Sequence, residues 1–213
     1  MEYNINSIIV SIYNNEINVL NIYYNKINNN EMKELCEALK YNGSITKINS
    51  TCDLQLKYIN TNIFPIFDGN KLRYLSNALK INNSISSLNL SNNKIRDIKY
   101  LSEALKINNS ITKLNLSNNK IGDITELSKA LRANNSITYL DLGHNNIEDI
   151  TELSEALKAN NSITYLNLGH NNIRDIRDIK DLSEALKINN SITYLNLSSN
   201  YMKDEGIKLI SEA

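Results

Sequence analysis

The chain is 213 residues long and poor in the residue types that carry most site chemistry. Its two cysteines, Cys36 and Cys52, do not make a disulfide framework, so a small cross-linked secreted scaffold is excluded. Two reduced thiols in a cytosolic setting is the simpler reading. Six glycines are scattered singly and form neither a phosphate-cradling loop nor a GxSxG elbow. Basic and acidic residues balance at 23 each, without a basic block, which argues against a nucleic-acid groove or an anionic membrane surface. No apolar run reaches the roughly 18 residues of a spanning helix, and no basic-then-apolar start marks a secretory signal. No segment like an F-box or a nucleotide-binding domain precedes the body of the chain. There is also no nucleophile with its base and no pair of carboxylates in contrasting environments. Catalysis, a cofactor and a resident metal are therefore not expected.

What the sequence has instead is self-similarity at a fixed period. Residues 84–109, 110–135 and 136–161 superimpose without gaps, SITYLDLGHNNIEDITELSEALKANN being the last of the three. Residues 162–190 repeat the unit with extra residues in RDIRDIKD, and 191–213 begin another that stops inside its helix. Upstream, 16–43 is a slightly longer copy, and 44–83 matches at both ends around an insertion at 57–70. Residues 1–15, in which Ile8, Val10 and Ile12 alternate with other positions, read as a capping hairpin over the first sheet edge.

Within a unit the apolar period changes partway. Leu88 and Leu90 stand two apart, as one face of a short strand requires, whereas Ile98, Leu101, Ala104 and Leu105 have helical spacing. Asp123 before Glu126, and Asp149 before Glu152, are expected to cap helix starts. The Asn-Asn pair closing each unit is expected to stop the helix in a left-handed conformation. One unit cannot bury its own apolar face, so the units must stack with parallel strands. The slot after the strand holds Asn25, Asn93, Asn119, Asn145, Asn171 and Asn200, with Asp53 in the second unit. An amide both donates and accepts, so a ladder of these asparagines can satisfy the turning backbone inside the stack.

The pattern Ile137-x-x-Leu140-x-Leu142-x-x-Asn145-x-Ile147, followed by a DIxxLSxAL helix, resembles the leucine-rich repeat, and its helix resembles the ribonuclease-inhibitor-like subclass. The resemblance covers about residues 16–213 and implies an α/β horseshoe solenoid of about seven repeats, with a parallel concave sheet and convex helices. The middle units are shorter than that subclass's, implying shorter helices.

Side chains flanking the buried strand leucines point to the concave face. One column runs Val19, Lys47, Ser87, Lys113, Tyr139, Tyr165, Tyr194; a second runs Asn21, Asn49, Asn89, Asn115, Asp141, Asn167, Asn196; a third runs Tyr23, Thr51, Ser91, Ser117, Gly143, Gly169, Ser198. Three neighbouring tyrosines beside two glycines make an amphipathic shelf of the kind used in recognition, because tyrosine buries much area at little rotamer cost. Tandem copying of SITYL explains the same tyrosines without a partner. His144 and His170 occupy equivalent slots and should stack; as a ligand pair they lack an obvious third member unless Asp141 reaches them. The insertion carries Phe64 and Phe67 around Pro65, which serve either as a binding anchor or as packing over a gap.

The sequence thus points to a non-catalytic module that binds an unidentified protein partner across the concave sheet. A small-ligand or metal site at the Tyr/His shelf is the alternative, as is a homodimer through Leu195, Leu197, Ile207 and Ile210 of the last unit. Enrichment in Asn, Ile, Lys and Tyr fits an AT-rich genome of a protist, intracellular bacterium or large DNA virus. The expected place is the cytoplasm, that of the host for an intracellular bacterium or a virus.

Overall fold

The computed structural model describes residues 5–22, 27–51, 67 and 69–213. Each repeat contributes one three-residue strand: β1 (Val19–Asn21), β2 (Lys47–Asn49), β3 (Ser87–Asn89), β4 (Lys113–Asn115), β5 (Tyr139–Asp141), β6 (Tyr165–Asn167) and β7 (Tyr194–Asn196). They form one open parallel sheet in chain order, and equivalent residues pair in every step, as Leu114 with Leu140 and Leu140 with Leu166. The sheet lines the concave side of the solenoid. The opposite, convex layer consists of α2 (Asn29–Tyr41), α3 (Gly69–Leu79), α4 (Lys99–Leu105), α5 (Thr125–Ala133), α6 (Thr151–Ala159), α7 (Ile176–Ile188) and α8 (Asp204–Ser211).

The core lies between the layers and runs the length of the stack. In the fifth unit Ile137, Leu140, Leu142 and Ile147 are fully buried from the strand side, as are Ala156 and Leu157 from the helix. Each such leucine contributes about 2 kcal/mol relative to leaving it in water, and repeating the set in every unit holds an elongated molecule together without a central core. Ser102, Ser128 and Ser154 are wholly buried, each hydroxyl donating to the carbonyl four residues back. Cys36 takes this position in α2, where burial pushes its thiol up to about 12.

Two asparagine ladders tie the units together, one more than the strand motif predicts. In the expected ladder, Asn119 Nδ2 donates to Leu90 O and Leu116 O while its Oδ1 accepts from the N–H of Asn93 and of Ile95. Asn145, Asn171 and Asn200 repeat the two donated bonds, and each accepts from one isoleucine N–H of the preceding unit, Ile121, Ile147 and Ile173 in turn. Asn25 and Asp53 lie outside the described residues. The second ladder is the asparagine that closes each helix, the first of the Asn-Asn pair in five units and Asn42, before Gly43, in the first. Asn134 Nδ2 donates to Leu105 O and Asn108 O, both at 2.9 Å, and its Oδ1 accepts from the N–H of Ser136 and of Ile137, both at 3.0 Å. The cap backbone is extended, with Asn134 at φ −80° and Asn160 at φ −79°, so these residues do not stop the helix by going left-handed. They stop it because the amide is committed to the neighbouring repeat. Left-handed residues among those described include Asn92, Asn118, His144, His170 and Ser199, where the chain turns after the strand, with Lys94 two residues past Asn92 and Asn15 after α1.

Two expectations about helix starts and the N-terminus need correction. Asp123 and Asp149 accept from the N–H of Thr125 and Thr151, one position outside the cap, so the acid two residues ahead braces the turn rather than the helix interior. A capping box is present in α2, between Asn28 and Glu31. The N-terminal cap is not a hairpin but a helix, α1 (Ile5–Tyr13), packed on α2. Ile5, Ile8, Ile9 and Ile12 follow the helical period and Val10 points out at 56% exposure, so the helical period prevails over the alternation of Ile8, Val10 and Ile12. The extra residues of RDIRDIKD lengthen α7 at its start, where Asp175 caps Arg177 N–H and pairs with its guanidinium. No helix among the described residues is long and apolar enough to cross a membrane.

Candidate recognition shelf on the concave sheet

Because equivalent residues pair strand to strand, similar side chains at one position must line up about one strand spacing apart. The three tyrosines obey this: the Tyr139 and Tyr165 rings stack at 4.2 Å, and Tyr165 and Tyr194 at 4.3 Å. Tyr194 ends the stack and is 47% exposed. Lys113, directly paired with Tyr139 in the sheet, is exposed and continues the column as a cation. Burial holds the hydroxyls of Tyr139 and Tyr165 above the ordinary tyrosine range, so at neutral pH these two present O–H groups and no charge.

Beside the tyrosines runs a chain of side-chain amides. Asn196 Nδ2 donates to Asn167 Oδ1 at 2.9 Å, and Asn167 Nδ2 donates to Asp141 Oδ1 at 2.8 Å. Asp141 also accepts from Gly143 N–H, which partly offsets the burial that pushes its carboxyl above the usual range. As an acceptor-only group it terminates the donor chain. Glycine in the third column leaves room for these two links. A Cβ on Gly143 would lie 2.6 Å from Asn167 Nδ2, and one on Gly169 would lie 2.6 Å from Asn196 Nδ2. The sequence places the two glycines beside the tyrosines, and the spacing of Asp141, Gly143 and Asn167 across units is the signal that they open room for linked amides.

On the far side of the glycines, His144 and His170 stack at 3.9 Å and are exposed. Both sit at φ 55°, in a slot that asparagine fills in two earlier units. Histidine and asparagine are among the side chains that tolerate this left-handed conformation, which accounts for their interchange here. Burial, then the neighbouring His170, lowers the His144 pKa. Among the described residues no group of three or more His, Cys, Asp or Glu could hold a metal ion. The shelf thus brings together Tyr139, Tyr165, Tyr194, Asp141, Asn167, Asn196 and the histidine pair. Phe67 does not belong to it: it is 2% exposed and part of the core, so it is packing and not an exposed anchor. Phe64 and most of the insertion lie outside the described residues.

Family models described as leucine-rich repeats match residues 109–155, 159–176 and 189–211, over the same units that build this shelf. This is a leucine-rich repeat protein. Similar solved structures carry the same fold. An internalin from Listeria monocytogenes matches at TM-score 0.58 and 20% identity, over 94% of this chain and 48% of that one. The chain thus spans about half the length of that internalin. The actin-binding site 2 of leiomodin-1 matches at TM-score 0.54 and 22% identity, over 64% of this chain and 85% of that one. The tropomodulin C-terminal domain of Caenorhabditis elegans matches at TM-score 0.51 and 18% identity, over 74% and 93%. No curated protein matches the leucine-rich repeat chain by sequence. Leucine-rich-repeat domains generally mediate protein–protein interaction.

Proposed function

We propose that this leucine-rich repeat chain is a non-catalytic recognition module that takes a protein partner on the concave shelf of Tyr139, Tyr165 and Tyr194, with Asp141, Asn167, Asn196 and Lys113 at its margins. The observation that carries the reading is the unbroken tyrosine stack beside the glycine-floored amide chain. Its side chains are already held by one another, so little rotamer freedom is lost when a partner lands on them. The polar margins would then supply hydrogen bonds around an aromatic centre, the usual anatomy of an interface. We place the module in the cytoplasm, a reading that the buried free thiol of Cys36 supports.

The test is capture of partners from lysate by the wild-type chain and by a variant with Tyr139→Ala, Tyr165→Ala and Tyr194→Ala. A protein retained by the first and lost by a still-folded second is expected. Equal retention would refute the concave site.

A second reading, self-association through the last unit, is favoured by the apolar surface there. Leu195, Leu197 and Ile192 are half-buried whereas their equivalents Leu166, Leu168 and Ile163 are fully buried, and Ile207 is 56% exposed. Light scattering over a dilution series decides it, a constant monomeric mass refuting the dimer.

A further inference from the structure

The second asparagine ladder has a chemical identity besides its structural one. Asn-x-Ser and Asn-x-Thr are acceptor sequences for asparagine-linked glycans, the sugar being attached at the amide nitrogen. The chain carries this triplet at Asn42, Asn82, Asn108, Asn134, Asn160 and Asn189, and again on the strands at Asn49, Asn89, Asn115 and Asn196. The first six are the cap asparagines of the ladder. We infer that this protein acquires its fold only where asparagine-linked glycosylation does not act, because the same amide nitrogens cannot carry a sugar and hold the repeats together.

The geometry leaves no room for both. Asn160 Nδ2 donates to Leu131 O at 2.8 Å and to Asn134 O at 2.9 Å, and the residue is 0% exposed. Asn108 and Asn134 make the equivalent pair of bonds and are 5% and 1% exposed. A glycan replaces one of the two N–H groups and puts a bulky polar group where the neighbouring repeat must pack. The third residue of the triplet is committed as well: Ser136 Oγ donates to Ile111 O at 2.9 Å, and Ser162 Oγ to Ile137 O at 2.9 Å. Acceptor recognition and repeat stacking therefore draw on the same two side chains.

Order of events decides which wins. A repeat buries its apolar face only against its neighbours, so the triplets stay open until at least two adjacent units have been made. Oligosaccharyltransferase acts on the entering, unfolded chain, when each ladder amide is accessible. Folding first, in the cytosol or nucleus, closes the sites. This inference is independent of what the concave face binds, since the ladder lies at the helix C-termini.

The chain is joined to a cleavable secretory signal and expressed in mammalian cells, with and without tunicamycin. Occupied sites are mapped by glycosidase release in heavy-oxygen water, and folding is read by protease resistance. Glycans on Asn108, Asn134 and Asn160 are expected, with loss of the resistance that the cytosolic chain shows. A resistant, secreted product that leaves these sites bare, or one that carries glycans on them, overturns the inference. If the chain stays protease-sensitive even in tunicamycin, refolding decides. Urea-unfolded protein glycosylated by purified oligosaccharyltransferase with a lipid-linked donor should fail to refold on dilution, while the unmodified chain recovers its circular dichroism. Recovery by the chain glycosylated at Asn134 or Asn160 overturns the inference. The tyrosine-shelf variants are unaffected by either result, so failure here leaves the recognition reading standing.

Discussion

Replacing Asn134 by alanine isolates what one rung of the cap ladder is worth. The side chain is 1% exposed and makes two donated and two accepted bonds to main chain at 2.9–3.0 Å, the donated pair reaching the preceding repeat. Alanine leaves two buried N–H groups and two buried carbonyls short of a partner. Each orphaned buried group costs roughly 1–3 kcal/mol, but each carbonyl has a second lone pair and the loop can relax, so a net loss of about 4 kcal/mol is expected. Asn135, the exposed neighbour, has no such role, and Asn135→Ala should stay within about 0.5 kcal/mol. Asn189 supplies an internal gradient. It makes the same bonds to Leu157 O and Asn160 O but is only half-buried, so water can replace part of what is lost, and Asn189→Ala should cost about half as much as Asn134→Ala. Urea unfolding followed by far-ultraviolet circular dichroism reads all three through the midpoint at constant slope. If Asn134→Ala unfolds within experimental error of Asn135→Ala, the ladder is not holding the repeats together and the reasoning fails.

Three further outcomes follow from the same geometry. Ile12→Ala should cost about 2–4 kcal/mol because the side chain is fully buried on the inner face of the cap helix, while Val10→Ala at 56% exposure should be nearly silent; a hairpin cap would make the two alike. The His144 pKa is lowered, so the native state prefers the neutral ring and its stability is present above the unfolded pKa of about 6.5 and lost as pH falls through that value; the double change His144→Asn, His170→Asn should flatten midpoint against pH between about 7 and 5, and an unchanged profile would refute it. In a Cys52→Ser background Cys36 should react with a thiol reagent only on unfolding, since burial disfavours its thiolate, and rapid labelling of native protein would contradict its place in the core.

The sequence by itself determined the repeating strand-and-helix unit, the parallel order of strands and the side chains that face outward. A period of two followed by a period near 3.6 admits one arrangement once each unit must stack on a copy of itself. It also determined that like residues would meet, because identical register between neighbours turns a column in an alignment into a row in space. The tyrosine and histidine stacks were legible for that reason. What only the tertiary structure decided depends on contacts between units. The Asn-Asn pair reads as a local helix stop, yet its bonds run to residues in the preceding repeat that no local pattern names. Gly143 reads as one position of a concave column, yet it is the room that Asn167 needs to reach Asp141. Residues 5–13 fit two periods over so short a span, and only the surface of α2 selects the helix. Phe67 faced two equal fates until the neighbouring core offered a place to bury it. A repeat writes its own fold locally, but the use to which each side chain is put is settled by the copy packed against it.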